Sequence, residues 1–185
     1  VTIPTFNFAL GKKEYRNKLK LGADDIIVIE GIHAIDPKIL TNIPRENKFK
    51  IYISALTELN MDEHNRVSTT DNRLLRRIIR DNRTRGYDVE HTLRSWPSVR
   101  SGEEKYIFPF QDEADYTINS ALIYEIGVLK TYVEPLLYSV PNSSPYYEEA
   151  KRLINFLRLF LPIPADDIPA DSILREFIGN GCFHD

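Results

Sequence analysis

Aliphatic runs separated by polar intervals predict strands in the first half of the chain and helices in the second. Val1 to Phe8 is short and apolar around Pro4 and predicts a strand or edge segment, and lysine-rich Gly11 to Gly22 predicts a loop or short helix. Asp25 to Gly31 (DIIVIEG) is a β-branched run closed by an acid and a glycine, the pattern of a buried parallel strand. Lys48 to Ser54 predicts a second strand and Ala114 to Ile118 a third, while Ala55 to Thr70 is polar and irregular. Leu74, Leu75, Ile78 and Ile79 pair at i, i+4 and form the apolar stripe of a helix. Thr70 is placed to cap it, Asp71 suits its first turn and Gly86 its termination. Val89 to Trp96 predicts a helix as far as Pro97, resuming from Ser101 to Phe108. Beyond Leu122 the pattern is helical: Ile123 to Val140, broken at Pro135, then Pro145 to Leu161. A hinge at Pro162, Pro164 and Pro169 precedes a last helix, Ser172 to Ile178. Strands alternating with helices predict an α/β parallel sheet, followed by an all-helical tail.

The stripe of Leu74, Leu75, Ile78 and Ile79 assigns Arg73, Arg76, Arg77 and Arg80 to the remaining surface of that helix, and Arg83 and Arg85 follow at its exit. Arginine offers a permanently charged planar fork that matches phosphate geometry. Only Asp71 and Asp81 lie close enough in sequence to neutralise this density, so few partners and mutual repulsion are expected. A solvated helix face is the plain alternative. An arginine excess inside a chain of net charge −3 points instead to a focused anion site, and away from a general polyanion binder.

At 185 residues, with 42% hydrophobic and 28% charged residues, one ordinary domain with a proper core is expected. The single cysteine, Cys182, has no basic neighbour, is expected to be inert, and fits a reducing, cytoplasmic setting. No apolar run reaches membrane-spanning length and no signal-peptide pattern opens the chain. The start at Val1, inside a strand-like phrase, predicts a cut end. His33, His64 and His91 lack metal-ligand spacing, and Trp96 beside Pro97 reads as core. Phe156, Leu157, Leu159, Phe160 and Leu161 read as helix packing, onto the rest of the chain or onto a partner.

Four phrases occur in a familiar order: VTIPTFNFALGKK, IIVIEGI, RLLRRIIRDNRTRG and KYIFPFQDEAD. Together they resemble the uridine kinase and phosphoribulokinase family of P-loop kinases, over roughly residues 1 to 119. The tail, with AKRLINFLRLFLPIP and SILREFIG, resembles a subgroup in which such a kinase follows a threonyl-tRNA-synthetase-like N-terminal region. The resemblance implies a P-loop-kinase-like parallel sheet whose first strands are missing, in residues 1–119, with an α-helical extension in residues 120–185. It implies ATP as phosphoryl donor, Mg²⁺ beside Glu30, and Arg77, Arg80 and Arg85 as lid arginines acting on the transferring phosphoryl group.

Phe6, Asn7 and Lys13 fall at substrate-loop positions, and Tyr87 follows the lid's Arg-Gly. Uridine kinases have Tyr and Asp where this chain has Phe6 and Asn7, a His where it has Gly11, and another arginine at Tyr87. Loss of these polar partners predicts a weak or broadened nucleoside preference. No G-x-x-x-x-G-K-[ST] phosphate loop occurs in the 185 residues, so the chain resembles the back half of a kinase and is expected to be inactive without the N-terminal part of the same protein. The polar stretch from Leu56 to Thr69 leaves a strand's carboxyl end, where α/β sheets place ligands, and is positioned to roof the site. Rival readings are a kinase of another small acceptor, and an RNA-binding or assembly module using the arginine helix and the helical tail. Low overall charge and the absence of aromatic–basic interleaving weigh against nucleic acid; a homo-oligomer is left open.

Overall fold

The arginine-bearing segment forms α1 (Thr69–Arg85), the helix around which most of the core is built. A computed structural model of the chain describes residues 2–7 and 12–183, with backbone alone at 2–7, 16 and 17. Residues 1–34 and 35–185 form two separate units.

In the first unit, β1 (Thr2–Asn7) and β2 (Lys12–Lys18) make an antiparallel pair whose register shifts between Ile3 and Pro4. Proline has no N–H to give a ladder, which is the local reason for an irregularity there. The loop or short helix expected at Gly11–Gly22 is therefore largely a strand. Pairing with β1 overrides its polar composition, and Lys12, Lys13, Tyr15 and Lys18 stay exposed on the ribbon. The strand expected at Asp25–Gly31 does not form: the segment carries no ladder, and Ile26 and Val28 are about nine-tenths exposed at 90% and 89%. A parallel strand depends on neighbours at its edges and cover on its faces; among the described residues no strand pairs with this run.

In the second unit, β3 (Ile51–Ser54) and β4 (Tyr116–Asn119) pair in parallel, Ile51 opposite Tyr116 and Ile53 opposite Ile118. Asp115 fastens the start of this pair, accepting from the Lys50 N–H (2.7 Å) and from the Arg45 guanidinium. The polar stretch between β3 and α1 folds back on itself. The Thr57 hydroxyl donates to the Val67 carbonyl (2.7 Å), Asn60 bridges Arg66, and Val67 enters the core.

α1 begins one residue before the expected cap. Ser68 receives the Asp71 N–H, while the Thr69 hydroxyl is engaged with Thr57. Its end is as expected: Gly86 takes the left-handed conformation at φ +66°, where a side chain would be strained. α2 (Val89–Tyr106) runs unbroken through Pro97. The lost backbone donor is offset by anchors on both sides: buried Leu93 before it, and Glu103 after it, which pairs with Arg73 of α1 and with Arg100. Likewise α3 (Glu125–Tyr138) carries Pro135 without ending.

α4 (Tyr147–Leu157) stops before the apolar cluster does, so Phe156 and Leu157 are buried while Leu159 and Leu161 are exposed. α5 (Arg175–Ile178) is shorter than expected. Leu74, Leu75, Ile78 and Ile79 pack with Leu93 of α2, Val128 and Leu129 of α3, Leu153 and Leu157 of α4 and Phe177 of α5. Each such side chain contributes about 1.5–3 kcal/mol by burial.

Candidate functional site

α1 leaves the loop that follows β3, and it is tied to the carboxyl end of β4. The Asn119 side chain accepts the Leu56 N–H (3.0 Å) and donates to the Leu56 carbonyl (2.9 Å), joining the ends of the two parallel strands. Next to it, Arg76 of α1 donates to the Ser120 carbonyl (2.7 Å) and pairs with Glu125, the first residue of α3. Glu125 also receives the Asn72 amide and the Leu122 N–H (3.0 Å), so three segments meet on one buried carboxylate. The expectation that Arg76 lies on the outer surface is thus corrected: it is 7% exposed, with its guanidinium over the Phe177 ring at 5.1 Å. At the helix's other end, Asp71 receives a two-pronged contact from Arg152 of α4 (2.7 and 2.9 Å), and Glu149 and Asp71 together raise the arginine's pKa.

The arginines expected to stand with few partners all have them. Along one face, Arg73 pairs with Glu103, and Arg77 and Arg85 share Asp81. Arg77 donates its Nε to Asp81 Oδ2 (3.2 Å) and Arg85 a terminal nitrogen to Oδ1 (2.8 Å). Along the other face, Arg80 pairs with the Glu176 carboxylate (3.3 Å) and Arg83 donates to the Glu176 carbonyl. Of the three lid candidates, the fold therefore brings Arg77 and Arg85 together and turns Arg80 toward α5. Acids distant in sequence do most of this neutralising, which is why a scan of sequence neighbours finds only Asp71 and Asp81.

Tyr87 is 42% exposed and stacks on His91 with ring centroids 4.1 Å apart. Its N–H donates to the Asp81 carbonyl (3.1 Å), and its own carbonyl receives the Asn82 amide (3.2 Å). In the other unit, Phe6 is the register partner of Lys13 and Asn7 of Lys12, so the backbone of β1 and β2 brings three of the substrate-loop candidates side by side. Lys13 is exposed, and Gly11 lies outside the described residues. Glu30 is exposed, in the segment that carries no regular structure. Among the described residues no group of three or more His, Cys, Asp or Glu could hold a metal ion. Glu30 fits Mg²⁺ only as a single carboxylate, a usual complement for an ion that keeps waters and substrate phosphates.

Asp81 and Glu125 carry more of this arrangement than the sequence pattern assigns them. For Asp81 a signal is present in the sequence: arginines stand four residues before and four after it, the spacing that puts all three on one helix face. For Glu125, 49 and 53 residues from Arg76 and Asn72, none is.

No helix among the described residues is long and apolar enough to cross a membrane. The chain is 28% identical over 121 residues to a uridine kinase of Staphylococcus epidermidis, the match covering 64% of this chain and 49% of that protein. A Staphylococcus aureus uridine kinase is 27% identical over the same length and coverage. The chain thus spans about half the length of the curated relatives it matches. No solved structure matches it. The model of the Phosphoribulokinase / Uridine kinase family matches residues 1–126, and the chain belongs to that family.

Proposed function

We propose that the whole protein transfers the γ-phosphoryl group of ATP to a hydroxyl of a small substrate, with a nucleoside as the acceptor, and that this chain supplies the lid and the metal carboxylate. The observation that carries this reading is an arginine helix tied to the carboxyl end of a parallel strand pair in a chain of this family. That edge is where α/β folds place their ligands. In phosphoryl transfer the protein's work is positioning and charge stabilisation, and Arg77, Arg80 and Arg85 have the chemistry for it. Glu30 would hold Mg²⁺, whose charge screens the phosphates. Phe6, Asn7, Lys13 and Tyr87 would contact the acceptor, with few polar groups to discriminate among bases. Every arginine of α1 already has an acceptor within the chain and the chain is net acidic at −3, which weighs against an extended polyanion such as RNA.

Turnover of Mg·ATP against a panel of nucleosides, measured on the full-length protein and on the 185-residue chain, tests the reading. Expected are activity only in the full-length protein, a shallow preference among bases, and a sharp loss of rate in Glu30→Gln with the fold intact. Activity of the isolated chain would relocate the site. A near-normal Glu30→Gln rate at every Mg²⁺ concentration would remove the metal role.

A further inference from the structure

We propose that Asp81 is the positioning residue of the arginine clamp: it holds Arg77 and Arg85 in the orientation that receives phosphate. This rests on the phosphoryl-transfer reading above. Asp81 is 1% exposed, and its two carboxylate oxygens take three side-chain donors: Arg77 Nε, Arg85 and, from α2, the buried Thr92 hydroxyl (3.3 Å). Its main-chain carbonyl receives the N–H groups of Gly86 and Tyr87, which fixes how the chain leaves α1. One residue thus sets two lid arginines and the backbone of Tyr87.

The choice of donor atoms matters. Arg77 is anchored through Nε, so its two terminal nitrogens have no acceptor among the described residues, and Arg85 uses only one terminal nitrogen. Their side chains keep 23% and 41% exposure while the carboxylate between them has almost none. An anchored guanidinium with a free fork has already lost the rotamer freedom that binding would otherwise cost. Without the Asp81 charge, two arginines on one helix face repel each other and spread over many rotamers.

The test exploits opposite signs. Asp81→Asn keeps the shape but removes one negative charge beside the clamp, so simple Coulomb attraction predicts tighter anion binding. Positioning predicts the reverse. Calorimetry with tripolyphosphate on the 185-residue chain should show affinity falling by about tenfold. In the full-length protein, kcat should fall about 10²-fold, with a much smaller change in KM. The loss should vanish when Asp81→Asn is added to the Arg77→Ala, Arg85→Ala double variant, because Asp81 acts through those side chains.

Thr92→Val, which removes one of the donors holding the carboxylate, should shift affinity in the same direction by less. It carries the test should Asp81→Asn not fold. Unchanged or tighter tripolyphosphate binding in both variants, with the arginine variants slow, would overturn the positioning role alone. Full turnover in the Arg77→Ala, Arg85→Ala protein would remove the clamp itself and this inference with it.

Discussion

The helices of the second unit and the segments whose composition predicts strands use equally apolar residues and reach opposite outcomes. Leu75, Leu129 and Leu153 on three helices are fully buried, whereas Ile51 and Ile53 of β3, Tyr116 and Ile118 of β4 and Ile26 and Val28 near Glu30 are exposed. A helix completes its own backbone hydrogen bonds and needs only a neighbour for its stripe. A parallel strand needs neighbours for its backbone and cover for both faces. The helices find their cover in one another, and their polar faces are finished by ion pairs such as Arg76–Glu125 and Arg73–Glu103. What holds α1 in place is therefore internal to residues 35–185, and the arginines are set before any ligand arrives.

Two comparisons should break that contrast if it is wrong. The larger effect is expected at the buried pair joining α1 to α3. Among the described residues, Arg76→Met leaves the Glu125 carboxylate, 1% exposed, facing only the Asn72 amide and the Leu122 N–H. Loss of one partner from a buried pair costs about 3–5 kcal/mol, so urea unfolding should show a matching fall in stability. Arg76→Met combined with Glu125→Leu should recover most of it. A single variant as stable as the parent would mean that α1 is held by its apolar stripe alone. The next effect separates helix from strand directly. Leu75→Ala should cost about 2–5 kcal/mol, and Ile53→Ala, at an exposed strand position, within about 0.5 kcal/mol. Comparable losses would show that the exposed face of β3 is covered in solution.

The same contrast explains how far the sequence could be read. The stripe of α1, its glycine exit and the parallel strands at Ile51–Ser54 and Tyr116–Asn119 follow from local period and punctuation. The segment DIIVIEG has the composition of a strand, yet composition cannot supply a pairing partner. Residues 12–18 show the converse, a polar segment made into a strand by its neighbour β1. Pro97 and Pro135 were readable as residues but not as events, since their cost is outweighed by contacts such as Arg73–Glu103 that join positions thirty residues apart. At the candidate site the donors were legible from charge density, whereas their acceptors Glu103, Glu125 and Glu176 come from elsewhere in the chain. The Arg77–Asp81–Arg85 face, by contrast, is written in i, i+4 spacing.

The smallest expected effect concerns the strand pair itself, whose start Asp115 fastens. The Arg45 guanidinium, followed by the Lys50 N–H, holds its carboxyl below the usual carboxylate value, and the pKa of Arg45 is raised in return. A carboxyl whose pKa is lowered on folding adds stability that is fully present above its unfolded value, about 3.9. That stability is lost as pH falls through the lower, folded value. Between neutral pH and about pH 5 the start of β3 and β4 should therefore be insensitive to acid. As pH falls through that lower, folded value the Lys50 N–H should lose its acceptor charge, loosening the Ile51–Tyr116 end of the pair. An NMR titration of the Lys50 amide should give a midpoint below about 3.9, moved upward in Arg45→Gln and absent in Asp115→Asn. α1 should show no transition tied to Asp115, because its ion pairs are made with other acids. A Lys50 midpoint at or above the ordinary carboxylate value would mean that Arg45 and Asp115 do not pair in solution, and the two-stranded sheet would then need another support.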